Sequence, residues 1–233
     1  MLKVRKPVRL LSGVHIVTAA TRPHPCPHGR CIYCPGGVEH GTPQSYVRRS
    51  PAISRALSVG YDPYLQVRKR LDEYVAFGHT PSKIELIVVG GTFTAHPYEY
   101  QEWFISNCFG AFNDFPVPDT GSDALGLEHL HRANEVARAR CVGLTVETRP
   151  DWAKQRHADS MLRLGVTRVE IGVQTLNDEV LELTHRGHSL EDTVEATRVL
   201  KDNGFKICYH MMPGLPHTTF DEDLRGFQQL FEN

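Results

Sequence analysis

Ile84-Glu85-Leu86-Ile87-Val88-Val89-Gly90-Gly91-Thr92-Phe93 is the stretch that decides the fold. Its first six residues are almost continuously apolar and rich in β-branched side chains, and two glycines stop the run before it reaches helical length. That pattern reads as a strand covered on both faces, followed by a tight turn. Working outward, four similar runs appear at residues 14–19, 142–146, 169–173 and 206–211. Between them, residues 64–77, 98–112, 152–164 and 190–203 repeat apolar side chains at helical spacing, the last stopping before Gly204 as a helix C-cap. Strands that alternate with helices predict an α/β chain of βα units around a parallel sheet.

In such folds the loops after the strands build the site, because they converge at the carboxyl edge of the sheet. A cysteine-rich loop follows the first run, Gly90-Gly91-Thr92-Phe93 the second and Glu147-Thr148-Arg149-Pro150 the third. Gln174 follows the fourth run, and His210-Met211-Met212-Pro213-Gly214 closes the fifth. Polar, glycine and cysteine residues therefore collect on one edge. Thr219, with Asp221, Glu222 and Asp223 behind it, predicts a last helix whose apolar stripe is Phe220, Leu224, Phe227 and Phe231. Only five strands are expected before residue 233. The expected architecture is a partial (β/α)6-type TIM-like barrel, C-terminally incomplete in this chain. Residues 35–60 show no clear period.

Cys26-Pro27-His28-Gly29-Arg30-Cys31-Ile32-Tyr33-Cys34 crowds three of the six cysteines into one short loop. That count is too sparse for a disulfide framework, and crowding of this kind points to metal. Two chemistries fit the spacing. One is a structural zinc completed by His24 or His28. The other is a 4Fe-4S cluster with three thiolates and one open iron, able to chelate S-adenosylmethionine and pass it an electron. The place of the loop after the first strand of a βα series, with a glycine pair after the second, favours the cluster.

These segments, together with Glu170-Ile171-Gly172-Val173-Gln174, Arg186-Gly187-His188, Gln44-Ser45-Tyr46 and Tyr61-Asp62-Pro63-Tyr64, resemble the radical SAM half of the Elongator catalytic subunit family. The resemblance runs from about residue 10 to the end. Four residues separate Cys26 from Cys31, where most radical SAM enzymes have three, and the wider gap supports this family. The resemblance implies a tRNA-modifying enzyme, a carboxymethyluridine synthase of the acyltransferase class. It would install a carboxymethyl group on carbon 5 of the wobble uridine, using a 4Fe-4S cluster, S-adenosylmethionine and acetyl-CoA. Carried over by motif, Cys26, Cys31 and Cys34 are the cluster ligands, and Tyr33, Gly90, Gly91, Thr92, Glu147, Arg149, Gln174 and His210 are candidates for the cofactor pocket. Lys83 matches a lysine the family associates with acetyl-CoA, although a solvent-facing lysine at a strand start reads the same way. Residues 1–233 would form one radical SAM domain, with a basic segment at 1–12 and the cluster loop and its basic extension at 20–60. The family's C-terminal acetyltransferase domain is expected to be missing. Two other classes stay open: a catalytically incomplete tRNA-binding or scaffold fragment, and a radical SAM enzyme acting on a small molecule.

Composition agrees with a folded enzyme: 40% hydrophobic, 23% charged and a net charge of -1 over 233 residues. No window is apolar enough to span a membrane and no signal peptide is visible, so the chain is read as cytoplasmic. The even net charge conceals a split. Residues 1–70 carry 12 Lys and Arg against Glu39 and Asp62 only, and acids predominate in the remainder. Lys3, Arg5, Lys6 and Arg9, then Arg48, Arg49 and Arg55 with Tyr46 among them, are candidates for gripping the phosphates and bases of a tRNA anticodon loop. Homo-oligomerisation and accessory subunits stay open.

Overall fold

The computed structural model describes residues 12–117 and 126–232. All five expected strands form: β1 Val14–Ala20, β2 Lys83–Val89, β3 Arg140–Thr148, β4 Arg168–Gln174 and β5 Lys206–Met211. Each pairs in parallel with the next, giving one sheet in the order β1-β2-β3-β4-β5. Sequential parallel order with helical crossovers is the progression of a β/α barrel, with β1 and β5 as the two edges among the described residues. The expected partial barrel is therefore present.

Helices α1 Pro51–Leu57 and α2 Pro63–Ala76 link β1 to β2, and α3 Tyr98–Asn113 and α4 Leu127–Asn134 link β2 to β3. Then α5 Gln155–Arg163 precedes β4, α6 Asp178–Leu183 and α7 Leu190–Asp202 precede β5, and α8 Phe220–Glu232 follows it. Three of these, α1, α4 and α6, are too short to show a period in sequence, and α1 lies inside residues 35–60, where no clear period is visible. The helix expected from residue 152 starts later, because Pro150–Trp152 forms a 3-10 turn and Lys154 becomes the cap. The end of α7 is as expected: Phe205 N donates to Leu200 O at 3.0 Å and Gly204 N to Lys201 O at 2.9 Å, with Gly204 at φ 82.

Alternation along the strands sorts the two faces of the sheet. Val17 and Ala19, then Ile84, Leu86 and Val88, then Leu144 and Val146, then Val169, Ile171 and Val173 turn to the helical layer. There they meet Val67 and Leu71 of α2, Phe104, Ile105 and Phe112 of α3, Met161 of α5 and Leu200 of α7. Each of these Val, Leu, Ile, Phe and Met side chains stabilises the fold by roughly 1.5–3 kcal/mol when fully buried. The opposite face departs from the expectation of strands apolar on both sides. The alternate positions Glu147 of β3, Glu170 of β4 and His210 of β5 are polar, because they line a cavity rather than a second hydrophobic layer. Helix α8 has no buried residue, and its stripe Phe220, Leu224, Phe227 and Phe231 is exposed. Among the described residues no helix is long and apolar enough to cross a membrane.

Candidate functional site

The loop leaving β1 carries Cys26, Cys31 and Cys34 to the carboxyl edge of the sheet. All three are free thiols, Cys26 half-buried and the others buried. Donors surround them. Ser45 N points at Cys34 Sγ at 3.3 Å, His28 Nε2 lies 3.2 Å from Cys31 Sγ, and Arg186 Nη1 lies 3.8 Å from the same sulfur. Cys26 Sγ is 3.8 Å from Thr92 Oγ1, which ties the loop to the turn after β2. Burial pushes the Cys26 thiol up.

That turn needs its glycines. Gly90 and Gly91 hold φ of 150 and 90, and a Cβ on Gly90 would stand 1.9 Å from Thr21 Oγ1. Their peptide N–H groups point at Glu147 Oε2, at 3.3 and 3.4 Å, while Tyr46 donates its hydroxyl to Glu147 Oε1 at 2.5 Å. Desolvation raises the Glu147 carboxyl above its ordinary value, and these three donors oppose the rise. Tyr46 was expected on an RNA-facing rim. Instead its hydroxyl fixes a buried carboxylate, and the glycine N–H groups expected to face a cofactor are turned to that carboxylate.

Arg149, fully buried, is held by Asp151 through paired bonds of 2.9 and 2.8 Å and donates to Gly187 O at 2.9 Å. Only its Nη1 is left without a partner among the described residues. The guanidinium fork that could grip a cofactor carboxylate is thus largely taken within the chain. Arg186 is equally enclosed and donates from Nη2 to Gly172 O at 2.6 Å, with Nε unpartnered. Gln174 sits in the left-handed region at φ 72 with Oε1 unpartnered, a strained backbone at the end of β4.

His210 Nε2 meets Glu170 Oε2 at 2.8 Å across β5 and β4, and Arg168 reaches Glu170 Oε1 at 3.1 Å. The bond to Glu170 raises His210 above its ordinary value, and the same bond lowers Glu170. A cavity of about 390 Å³ joins these groups: Cys26, Tyr33, Thr92, Glu147, Arg149 and His210 line it, with Gly91, Gln174, Arg186 and Tyr46. Almost all of the expected pocket residues converge there.

Some expected residues do not. Lys83 is exposed at the opposite end of β2, roughly 20 Å from Gly90 at about 3.3 Å per residue. Arg55 is not available to a phosphate, because it donates to Thr18 O at 3.0 Å and lies 4.0 Å from Glu73 with only 11% of its side chain exposed. Arg48 and Arg49 are exposed, whereas Lys3, Arg5, Lys6 and Arg9 lie outside the described residues. His24 stacks on His96 with centroids 4.3 Å apart. Tyr46, Glu170 and Arg186 also reach this site, and sequence reasoning assigns them no pocket role because they meet Glu147, His210 and Cys31 across 101, 40 and 155 residues.

The donor set fits a polynuclear cluster better than zinc. A tetrahedral zinc with Zn–S bonds of about 2.3 Å would bring its sulfurs to about 3.8 Å of one another. The loop cysteines, with or without His28, do not form a group whose ligand atoms all lie within 4.8 Å. Three separated thiols with N–H donors around them suit a larger, negatively charged core.

A sequential parallel β/α sheet with a three-cysteine loop after its first strand defines a class, and residues 24–227 match the family described as the Radical SAM superfamily: the chain belongs to it. Members are built around a 4Fe-4S cluster and S-adenosylmethionine. Among its curated relatives, the tRNA uridine(34) acetyltransferase of Methanocaldococcus jannaschii is 49% identical over 232 residues, covering 98% of this chain and 42% of the relative. The human Elongator complex protein 3 is 40% identical over 237 residues, again covering 98% and 42%. The structure of archaeal Methanocaldococcus infernus Elp3 with an N-terminal deletion superposes with a TM-score of 0.75 at 39% identity, over 95% of this chain and 43% of that one. Coproporphyrinogen III oxidase from Escherichia coli, at 16% identity, a TM-score of 0.51 and coverage of 92% of this chain and 41% of its own, shares the fold alone. The resemblance to the Elongator catalytic family is borne out. The chain spans about two fifths of the length of the relatives it matches.

Proposed function

We propose that this chain is the radical SAM portion of a tRNA-modifying enzyme that carboxymethylates carbon 5 of the wobble uridine with acetyl-CoA as co-substrate. One observation carries the reading: the cysteine loop, the Gly90-Gly91 turn, Glu147, Gln174 and His210 share one cavity in a chain 49% identical to a tRNA uridine(34) acetyltransferase. Cys26, Cys31 and Cys34 would hold the cluster. When bound, the cluster and S-adenosylmethionine supply a 5'-deoxyadenosyl radical, the agent that cleaves an unactivated C–H bond. The residues of this chain do the rest. Tyr33, Thr92 and Gln174 enclose the pocket and limit water, and Glu147 offers a buried carboxylate for hydroxyl groups once Tyr46 yields. Arg149 has one free N–H edge for an anion, and His210 with Glu170 can hold or release a proton at the cavity wall.

A wobble base must leave its stack to reach such a cavity, and exposed Arg48 and Arg49 suit the phosphates around it. Lys83 would serve acetyl-CoA from the far edge of the sheet, so that role calls for a binding surface separate from the cavity. The direct test is anaerobic iron-sulfide reconstitution followed by assay of 5'-deoxyadenosine release with and without tRNA. Cluster formation and release stimulated by tRNA and acetyl-CoA are expected, with loss of both on Cys31→Ala. Absence of a cluster would favour a scaffold fragment, and RNA-independent cleavage would favour a small-molecule enzyme.

A further inference from the structure

Two arginines are buried beside the cysteine loop, and among the described residues only one has a carboxylate. Arg149 is matched by Asp151 at 2.8 Å. Arg186 is 6% exposed, and among the described residues its partners are the neutral Gly172 O at 2.6 Å and Cys31 Sγ at 3.8 Å, with Nε unpartnered. A buried cation without an anion is costly, so the site is complete only when negative charge arrives. The backbone is shaped to keep this guanidinium in place. A Cβ on Gly172 would stand 2.4 Å from Arg186 Nη2, so a larger residue at that point of β4 would push the guanidinium out of its present position.

We infer that Arg186 is the positioning counter-charge of the cluster held by Cys31 and its two companions, and that it raises the reduction potential of that cluster. The inference rests on the cluster reading given under Proposed function. With three thiolates, a 4Fe-4S core in its oxidised state carries a single net negative charge. One electron from an external one-electron donor makes this two, with no bond or proton changing hands. A fixed positive charge beside a ligating sulfur stabilises the reduced form more than the oxidised one, and net charge and hydrogen bonds to sulfur are established determinants of such potentials.

The test is a redox titration of the reconstituted, complete natural polypeptide against reduced viologen dyes, read by electron paramagnetic resonance without S-adenosylmethionine. Arg186→Gln should lower the reduced-to-oxidised ratio at fixed potential about tenfold, which is about 59 mV for a one-electron couple. Arg186→Lys, which keeps the charge, should stay close to the natural protein. A second variant, Gly172→Ala, leaves the arginine in the chain but displaces it, and should shift the midpoint in the same direction; it carries the test if Arg186→Gln does not fold. Should Arg186→Gln fold and load no iron while Arg186→Lys loads normally, the charge requirement stands. Equal iron loss in both would assign Arg186 to packing and overturn the inference. An unchanged midpoint in Arg186→Gln with weaker S-adenosylmethionine binding would also overturn it, assigning the cation to that ligand. No cluster in the natural protein would remove the site reading itself, a result distinct from an intact cluster with an unmoved potential.

Discussion

His210 and Glu170 illustrate how one contact sets the behaviour of two groups. Their bond raises the imidazole from its ordinary 6.5 and lowers the carboxyl from its ordinary 4.5. The sign follows for each. The stability from His210 is fully present below the unfolded value and is lost as pH rises through the raised folded value. That from Glu170 is present above its unfolded value and is lost as pH falls through the lowered one. The pair therefore stabilises most between about pH 4.5 and 6.5. His210→Gln should lower the melting temperature more at pH 5.5 than at pH 9, as read by thermal denaturation in matched buffers. Equal losses at both values would mean that the pair contributes only packing. At the same scale, the three loop cysteines, Glu147 and Gln174 were legible in sequence because the cysteines follow β1 and the other two close β3 and β4. Arg186 and Tyr46 were not, since their partners lie 155 and 101 residues away.

At the scale of elements, α2 is aimed by its first turn. Asp62 caps it by accepting from Leu65 N at 2.8 Å, and Pro63 at the first helical position has no N–H to leave unsatisfied. The helix then places Gln66 to bond Ala20 on both edges, through Ala20 N at 2.8 Å and Ala20 O at 3.0 Å, where β1 ends and the cysteine loop begins. Asp62→Ala should cost about 1 kcal/mol in urea unfolding, and Asp62→Gly only a few tenths. The strand ends and long helices were readable because periodicity is a local property. The short helices α1, α4 and α6 span too few residues for a period to emerge, and packing rather than propensity holds them.

For the whole molecule, charge separation matters more than net charge. The basic balance of residues 1–70 is retained, but the structure divides its members by use. Arg55 serves the fold, Arg30 pairs with Glu39 at 2.9 Å, and exposed Arg48 and Arg49 hold no ion pair among the described residues. Replacing both Arg48 and Arg49 by Glu should weaken tRNA binding and reduce the slope of log K against log salt by about two, near one for each phosphate contact removed. Binding measured at several salt concentrations checks this, and an unchanged slope would place the RNA elsewhere.

The order of the strands and of the longer helices, the parallel sheet, the cysteine loop and the edge on which polar residues collect could be read from the sequence alone. These depend on hydrophobic period and on residues fixed by short spacing, which are written locally. Folding in three dimensions settles which side chains are occupied by the chain itself: Glu147 by Tyr46 and the glycine turn, Arg149 by Asp151, Arg55 by Thr18, while among the described residues Arg186 stands without a carboxylate. The reason is that burial and charge compensation depend on what the fold brings together through space, and a buried ion is defined by its neighbours rather than by its place in the chain.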